Sequence, residues 1–181
     1  LGMAIRMEPR IVPKIKRIVL MGGAYTNGNV TPAAEFNIIA DADAAYVCFT
    51  SGRPITMIGL DVTRKALCYP SIVDRMDKIG NKASKLFVDL MRHFCKSQKE
   101  VFGWEGGPLH DPITIAWLID PSVVETKPMH AEIDIRSVQS YGRTNCDFFG
   151  YQKLEPNADV GIGIDADKFW DMVEEVLRMY D

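Results

Sequence analysis

Two continuous apolar runs, at residues 17–23 ("RIVLMGG") and 54–63 ("PITMIGLDVT"), constrain the fold of this chain most. Both are rich in β-branched residues and lack polar alternation, which is typical of parallel strands that are buried on both faces. A helical segment at residues 41–51 separates them, with Asp41 as its N-cap and Gly52 as its stop signal. This order predicts a parallel pair of strands, with the first run as a central strand of an α/β sheet.

The rest of the chain alternates between the same two kinds of segment. The apolar pattern predicts helices at residues 1–7, 71–78, 82–101, 113–119 and 166–180, and strands at residues 130–135, 143–149 and 157–164. On the longest helix, the apolar residues at helical spacing are Leu86, Phe87, Leu90, Met91 and Phe94. The sequence therefore predicts an α/β fold, with a mostly parallel central sheet flanked by helices and a Rossmann-like core.

No linker divides the chain, which predicts a single domain over residues 1–181. The chain begins with "LGMAIRMEPR", without an initiator methionine and on residues that have the pattern of the inside of an amphipathic helix. Because natural domains seldom begin inside an element, we expect this domain to be incomplete, with its N-terminal part missing.

Composition and charge argue against several classes of function. The net charge of −3 provides no electrostatic basis for binding nucleic acid or an acidic membrane. No apolar run approaches membrane-spanning length, and no signal-peptide pattern is present. The cysteines form no Cys-x-x-Cys pair, and most have apolar neighbours; they are Cys48, Cys68, Cys95 and Cys146. Buried free thiols in a reducing compartment, and hence a cytoplasmic location, are predicted.

The segment "GNVTPAAEFN" follows the first predicted strand and carries Asn29, Glu35 and Asn37 among small residues. In open α/β sheets, ligands bind beyond the carboxyl ends of the strands. One interpretation is a helix entry, with Thr31 as N-cap and Pro32 at the first helical position. A capping box would then require Glu or Gln at position 34, which is alanine, so capping does not account for Glu35.

In an extended segment, the two-residue spacing points Glu35 and Asn37 to the same side, with Phe36 turned into the core. A carboxylate accepts hydrogen bonds and an amide both donates and accepts them, so the pair suits recognition of hydroxyl groups, as in a sugar. A solvated loop is the other interpretation that the spacing leaves open. The glycine pair before this segment fits neither the dinucleotide-binding nor the P-loop pattern.

A His-Asp pair, His110 and Asp111, precedes a short apolar helix. Asp111 as N-cap, with Pro112 at the first helical position, would account for the aspartate alone. That role leaves His110 unexplained, at a helix N-terminus whose dipole disfavours the imidazolium. A neutral or transiently protonated imidazole beside a carboxylate suits acid–base chemistry. Trp104, in a glycine-flanked loop, could stack on a planar base or pack on its own domain.

The other histidines and several aspartates are assigned ordinary roles. His93 and His130 have no nearby carboxylate and no ligand at metal-site spacing, so structural or surface roles are predicted. The aspartates interpreted as caps or surface charges are Asp61, Asp74, Asp77 and Asp120.

Taken together, "LMGGAYTNGNVTPAAEFNIIADADAA", "ITMIGLDVT" and "PLHDP" resemble the inosine–uridine-preferring nucleoside hydrolases. The segment "GNVTPAAEFN" is a long and specific match. The resemblance runs from the first residue through the last helix, with a looser fit after residue 125, and covers the C-terminal part of the family's length. It implies hydrolysis of the N-glycosidic bond of ribonucleosides, which yields ribose and a free base.

The resemblance also implies a ribose site. Asn29, Glu35 and Asn37 would hydrogen-bond ribose hydroxyls, mainly at the 5′ and 3′ positions, and Met21 would line the site. The base specificity is not implied. Candidates for contacts with the base are Phe94, Phe102 and Trp104.

His110 and Asp111 would act on the base and the metal. The resemblance implies that His110 donates a proton to the departing base, and that Asp111 ligates Ca²⁺ and touches the ribose. The family's aspartate-rich signature, Asp-x-Asp-x-x-x-Asp-Asp, is absent from this chain. Because Ca²⁺ takes about six to eight oxygen ligands, Asp111 alone cannot hold it, and we expect no tight calcium binding by this chain.

The resemblance therefore predicts a chain with the ribose and base side of a nucleoside hydrolase site. We expect it to be inactive alone, and to self-associate or to require an N-terminal part of the same protein. Two alternatives stay open: a non-catalytic module that binds a nucleoside or ribose, and a subunit whose role is assembly.

Overall fold

The computed structural model describes all 181 residues of the chain. Its contacts divide it into two compact units, each formed by two stretches of sequence. The first unit comprises Leu1–Val62 and Val124–Gly163, and the second comprises Thr63–Val123 and Ile164–Asp181. The single incomplete domain over residues 1–181 stays a prediction.

The chain contains eight α-helices and eight β-strands. The helices are α1 (Gly2–Met7), α2 (Phe36–Ala40), α3 (Ala42–Phe49), α4 (Leu60–Thr63), α5 (Pro70–Asp77), α6 (Lys82–Phe102), α7 (Pro112–Ile119) and α8 (Ala166–Arg178). The strands are β1 (Ile18–Met21), β2 (Ile55–Ile58), β3 (Leu67–Cys68), β4 (Gly107–Pro108), β5 (Val124–Met129), β6 (Ala131–Ile133), β7 (Thr144–Cys146) and β8 (Ala158–Ile164). Short 3-10 helices precede β1 and β5, at Pro9–Lys14 and Pro121–Val123. All the predicted helices are present, with bounds that differ by a few residues.

A four-stranded sheet in the order β1-β2-β8-β5 forms the centre of the first unit. β1 pairs in parallel with β2, and β2 pairs in parallel with β8. The N–H of Asn157 donates to the Met129 carbonyl at 3.1 Å, and the N–H of Asp165 donates to the Val123 carbonyl at 3.0 Å. Residue numbers increase along β8 while those of the bonded partners decrease along β5, so β5 is antiparallel to β8. The predicted α/β class with a mostly parallel sheet is confirmed.

Three details of the sheet differ from the sequence predictions. β1 lies at an edge of this sheet and its residues are half-buried, so the prediction of a central strand is wrong for this sheet. β2 ends at Ile58, because Gly59 and α4 turn the chain; a Cβ at Gly59 would lie 2.6 Å from the Gly23 carbonyl oxygen. β5 was not predicted, because Pro128 and the charged residues of "VETKPM" hide its strand pattern.

The core of the first unit lies between its sheet and the neighbouring helices. Met57 of β2 and Val160 of β8 are fully buried, and Ile38 of α2 and Phe49 of α3 belong to the same apolar cluster. The loop "GNVTPAAE" connects β1 to α2, and the packing of Ile38 in this cluster holds α2 against the sheet.

The second unit is mostly helical, with a short antiparallel pair formed by β3 and β4. Phe169 and Trp170 of α8 are among its largest fully buried side chains. On α6, Val88 and Met91 are buried, whereas Leu86 and Leu90 are 62% and 61% exposed. The apolar residues at helical spacing on α6 are therefore not all buried, and packing buries only part of this set. None of the helices combines the length and apolar composition that crossing a membrane requires.

All four cysteines are free thiols; Cys68 is buried, and the other three are half-buried. The pKa of Cys68 is raised to about 12, mainly by burial and also by Cys95. Burial likewise raises the pKa of Cys146 to about 12, with a further contribution from the Asp61 carboxylate. The thiolate is the reactive form of cysteine, so both positions favour the unreactive thiol.

We expect Cys68 and Cys146 of the folded protein to react with iodoacetamide at pH 8 far more slowly than the same residues in urea. The raised pKa values of both thiols keep the reactive thiolate scarce at pH 8 in the folded protein. The same shifts make the folded state less stable at high pH: the stability from the two buried thiols is present below the ordinary thiol pKa of about 9 and is lost as the pH rises towards 12. Mass spectrometry of labelled peptides measures each rate. Equal rates in the folded and unfolded protein would contradict this expectation.

Candidate functional site

The loop between β1 and α2 is closed by its own backbone. The Ala34 carbonyl accepts hydrogen bonds from the N–H groups of Asn29 and Val30, at 3.1 and 3.2 Å. The Thr31 hydroxyl oxygen accepts from the N–H groups of Ala33 and Ala34, at 3.2 and 2.9 Å. Thr31 therefore begins a compact turn, and the helix entry considered at Pro32 does not form.

Glu35 is the N-cap of α2 and is only 3% exposed. One carboxylate oxygen accepts from the N–H groups of Gly23, at 2.8 Å, and Ile38, at 3.3 Å. The other oxygen accepts from the Asn37 N–H at 2.9 Å. The prediction that capping does not account for Glu35 is thus wrong, because the helix begins four residues later than the entry first considered. These bonds also join the start of α2 to the end of β1.

Asn37 lies in the first turn of α2, and its side chain reaches the end of β1. The amide nitrogen donates to the Met21 carbonyl oxygen at 3.3 Å and approaches the Met21 sulfur at 3.2 Å. Phe36 is 59% exposed, so the prediction that it turns into the core is wrong. Glu35 and Asn37 nevertheless both contact the end of β1: Glu35 accepts from the Gly23 N–H, and Asn37 donates to the Met21 carbonyl.

Asn29 and Asn37 use opposite ends of their amide groups for internal bonds. The Asn29 oxygen accepts from the Phe36 N–H at 2.8 Å, which leaves its NH2 group as a donor. The Asn37 nitrogen is bonded to Met21, which leaves its oxygen as an acceptor. Both residues are exposed. The carboxyl end of β1 therefore offers one amide donor and one amide acceptor to a ligand.

Asp61 is a site residue that sequence reasoning missed. Its carboxylate accepts from the Tyr25 N–H at 2.7 Å and from the Thr26 hydroxyl, so it holds the loop that leaves β1. Thr144 holds the same loop through the Ala24 N–H, at 2.9 Å, and carbonyl, at 2.6 Å. A signal for Asp61 was its position just after β2, at the same edge of the sheet as the loop. Its role as a mere cap or surface charge is not what the structure shows.

His110 lies in the second unit, between β4 and α7, and is half-buried. Its Nδ1 is 2.8 Å from the hydroxyl oxygen of Thr63. Burial lowers the pKa of His110; the Asp111 carboxylate opposes this shift, and the Arg64 guanidinium adds to it. The lowered pKa makes the ring neutral near pH 7 and makes its protonated form a stronger acid.

Asp111 stands at the N-cap position of α7, but its side chain makes no capping hydrogen bond. The residue is exposed, and its backbone carbonyl accepts from the Thr114 hydroxyl at 2.7 Å. The ordinary explanation of Asp111 as a cap therefore fails, and its carboxylate stays available beside His110.

The aromatic candidates differ in what they contact. Trp104 stacks on Phe102 at a centroid distance of 5.0 Å, and the Arg64 guanidinium lies 5.6 Å from the Trp104 ring. Phe94 packs against Gly107 of β4, where an added Cβ would meet its ring at 2.8 Å. Trp104 thus packs within its own unit, while Phe102 is more than half exposed.

Calcium does not fit the residues of this chain. Ca²⁺ takes about six to eight oxygen ligands in proteins. No group of three or more His, Cys, Asp or Glu side chains is arranged to hold a metal ion. The resemblance assigns Asp111 as a Ca²⁺ ligand, but no other acidic, histidine or cysteine side chains of this chain are grouped with it to complete a metal site.

Comparison with solved structures shows which class of protein this fold belongs to. A purine-preferring ribonucleoside hydrolase from Gardnerella vaginalis matches with a TM-score of 0.87 at 33% identity, over 98% of this chain and 58% of that chain. A plant nucleoside hydrolase matches with the same TM-score at 24% identity, over 98% of this chain and 58% of that chain, which supports the fold alone. The fold is that of the nucleoside hydrolases.

The sequence gives the same result more specifically. The model of the inosine-uridine preferring nucleoside hydrolase family matches residues 1–171, so the chain belongs to this family. Curated relatives include the pyrimidine-specific ribonucleoside hydrolases RihB of Shigella flexneri and of Escherichia coli strain UMN026, each 49% identical over 180 residues. These alignments cover 99% of this chain and 58% of each relative. The predicted family is confirmed, and the chain spans somewhat more than half the length of these relatives.

Proposed function

We propose that this protein hydrolyses the N-glycosidic bond of ribonucleosides, and that the chain recognises ribose through the residues at the carboxyl end of β1. One observation carries the proposal: internal bonds leave a donor on Asn29 and an acceptor on Asn37 at the edge where α/β sheets bind ligands. A ribose hydroxyl both accepts and donates, so it can bond to both amides. Membership of the nucleoside hydrolase family supports a nucleoside as the source of that ribose.

Met21 and Glu35 would support the same ribose site in different ways. Met21 ends β1 and would line the site with an apolar side chain. Glu35 gives its carboxylate to three backbone N–H groups, so its first effect is to hold Asn37 at the strand end. A direct bond from Glu35 to a ribose hydroxyl stays a prediction.

His110 would assist departure of the base. In glycosidic hydrolysis, the C1′–N bond breaks with its electron pair moving to the base, and the sugar acquires oxocarbenium character. A proton donated from the protonated His110 ring neutralises this charge, while water adds to C1′ and releases a proton to the solvent, from which the ring regains one. The buried environment of His110 favours giving up a proton, because it disfavours the charged ring. Asp111, exposed and not used as a cap, is proposed to contact the ribose.

A pyrimidine ribonucleoside is the substrate that the comparisons favour. The relatives named pyrimidine-specific are 49% identical to this chain, whereas the structure named purine-preferring is 33% identical. Uridine is therefore the first ligand to test. The cytoplasmic location, a role in nucleoside salvage, self-association, and the requirement for a further N-terminal part stay predictions.

Calorimetric titration with uridine tests the ribose site. We expect Asn37→Ala to weaken binding by about fivefold, because the hydrogen bond from one hydroxyl contributes about 1 kcal/mol. Asn145→Ala, at an exposed asparagine of β7, is the matched control and should bind like the wild type. Equal affinities of the Asn37→Ala protein and the control would contradict the proposal.

Release of uracil from uridine, measured by chromatography, tests the reaction. If the chain cleaves uridine, His110→Ala should slow release by about 10²- to 10⁴-fold, which is the usual contribution of a general acid. His93→Ala, at an exposed histidine of α6, is the control. Binding without release would agree with the prediction that this chain is inactive alone, and also with a non-catalytic binding module. Rapid release would contradict both.

A further inference from the structure

Thr63 is a buried polar residue that the proposed function does not yet use. It is the last residue of α4, within the "GLDVT" segment, and is 0% exposed. Its hydroxyl oxygen lies 2.8 Å from Nδ1 of His110, although the two residues are 47 positions apart in the chain. Threonine is β-branched, so its χ1 angle is restricted to few values.

We propose that Thr63 is a positioning residue for His110: its hydroxyl donates to Nδ1, holds the ring, and keeps the ring proton on Nε2. This inference rests on the proposed function, because it matters only if His110 acts on a ligand. Nε2 is then the nitrogen that meets the ligand, as a hydrogen-bond donor.

The number of donors and acceptors on the two side chains decides that Thr63, and not His110, donates this hydrogen bond. A neutral imidazole has one N–H and one bare nitrogen, and a hydroxyl has one proton to donate. His110 is the only partner of the Thr63 hydroxyl in the structure. If Nδ1 carried the proton, the buried hydroxyl would accept it and its own hydrogen would lack an acceptor, which is unfavourable. Donation from Thr63 to a bare Nδ1 leaves no buried donor unpaired.

The assignment concerns the neutral form of His110, which stabilises the departing base by a hydrogen bond from Nε2–H; full transfer of a proton requires a second proton on the ring. A departing base gains negative charge and is therefore a hydrogen-bond acceptor. A neutral ring with its proton on Nε2 already presents a donor to such a group. A ring free to rotate would lose this orientation, and its hydrogen bond would no longer be preorganised.

Nuclear magnetic resonance of protein labelled with ¹⁵N-histidine tests the assignment without any nucleoside. Correlation spectra at alkaline pH, where the rings are neutral, show which nitrogen carries the proton. The His110→Gln variant identifies the His110 signals by their loss. His130 is an internal comparison, because its Nδ1 lies 2.9 Å from the Glu155 carbonyl oxygen, whereas its Nε2 has a longer contact, 3.3 Å, with the Glu132 carboxylate. We expect the proton on Nε2 in His110 and on Nδ1 in His130.

Two variants separate positioning from a structural role. Thr63→Val keeps the shape and removes the hydroxyl, so the Nδ1 resonance of His110 should move to the position of a nitrogen without a hydrogen bond. Thr63→Ser keeps the hydroxyl and should retain the wild-type resonance. An unchanged Nδ1 resonance in Thr63→Val would overturn the proposal, as would a proton on Nδ1 of His110 in the wild type. If Thr63→Val does not fold, the wild-type and Thr63→Ser spectra still decide the matter.

Addition of uridine to the same sample distinguishes failure of this proposal from failure of the proposed function. A shift of the Nε2 resonance, with Nδ1 unchanged, supports both. No shift on saturation with uridine, together with a proton on Nε2, counts against His110 as a base-contacting group and leaves the bond from Thr63 established. A proton on Nδ1 overturns the positioning role, whatever uridine does.

Discussion

Glu35→Ala is expected to lower the free energy of unfolding by about 3 kcal/mol, because it leaves two buried and one half-buried N–H groups without acceptors, at about 1–3 kcal/mol for each buried group before relaxation. The three groups are the backbone N–H groups of Gly23, Asn37 and Ile38. The loss should separate the start of α2 from the end of β1 and weaken uridine binding as well. Urea unfolding followed by circular dichroism measures it.

Two further variants show whether the acceptors of Glu35 are the cause. Glu35→Gln keeps the volume but places an NH2 group against backbone donors, so most of the loss should remain. Glu8→Ala removes a carboxylate that caps the 3-10 helix Pro9–Lys14 through an exposed hydrogen bond from the Arg10 N–H, and should cost much less. If Glu35→Ala were no more destabilising than Glu8→Ala, the carboxylate would not hold the loop as the structure indicates.

Gly28→Ala is expected to destabilise the protein by about 2–3 kcal/mol, in the upper range for a side chain forced into a filled space. A Cβ at this position would lie 2.2 Å from the Ala34 carbonyl oxygen and 2.4 Å from the Thr31 carbonyl oxygen. Both are backbone atoms of the same closed loop, so the loop itself must move. Asn29 and Glu35 would move with it, and we expect uridine binding to fall together with stability.

Gly52→Ala is the matched control for Gly28→Ala. Gly52 has a φ of +72° and nothing within 4 Å of an added Cβ, so only the left-handed backbone opposes the change, at about 1 kcal/mol. Urea midpoints of both variants and calorimetry with uridine provide the comparison. Gly28→Ala with the stability and affinity of Gly52→Ala would show that the loop does not need the close approach.

Much of the local structure could be predicted from the sequence. Apolar runs and caps located the helices, including α3 behind Asp41 and α6 by its apolar spacing, because these signals act within a few residues. The segment "GNVTPAAEFN" placed Asn29, Glu35 and Asn37 at the end of β1, because the chain leaves that strand directly into them.

The details of the loop were predicted less well. Glu35 was interpreted as a residue that capping does not explain, although it caps a helix that begins at Phe36. The short α2 has little periodicity of its own, and the Glu35 carboxylate that caps it also accepts a hydrogen bond from the Gly23 N–H at the end of β1. A bond between separate elements leaves no periodic trace in the sequence.

The family, the order of the elements, and the polar side chains that follow β1 and precede α7 could all be predicted from the sequence. The contact of Asp61 with the loop at Tyr25, 36 residues earlier, and the contact of Thr63 with His110, 47 residues later, are known from the folded chain alone. The folded chain also decided which apolar residues of α6 are buried. The physical reason is the same in each case: these choices depend on contacts between residues far apart in the chain, whereas propensity, capping and periodicity act over a few residues.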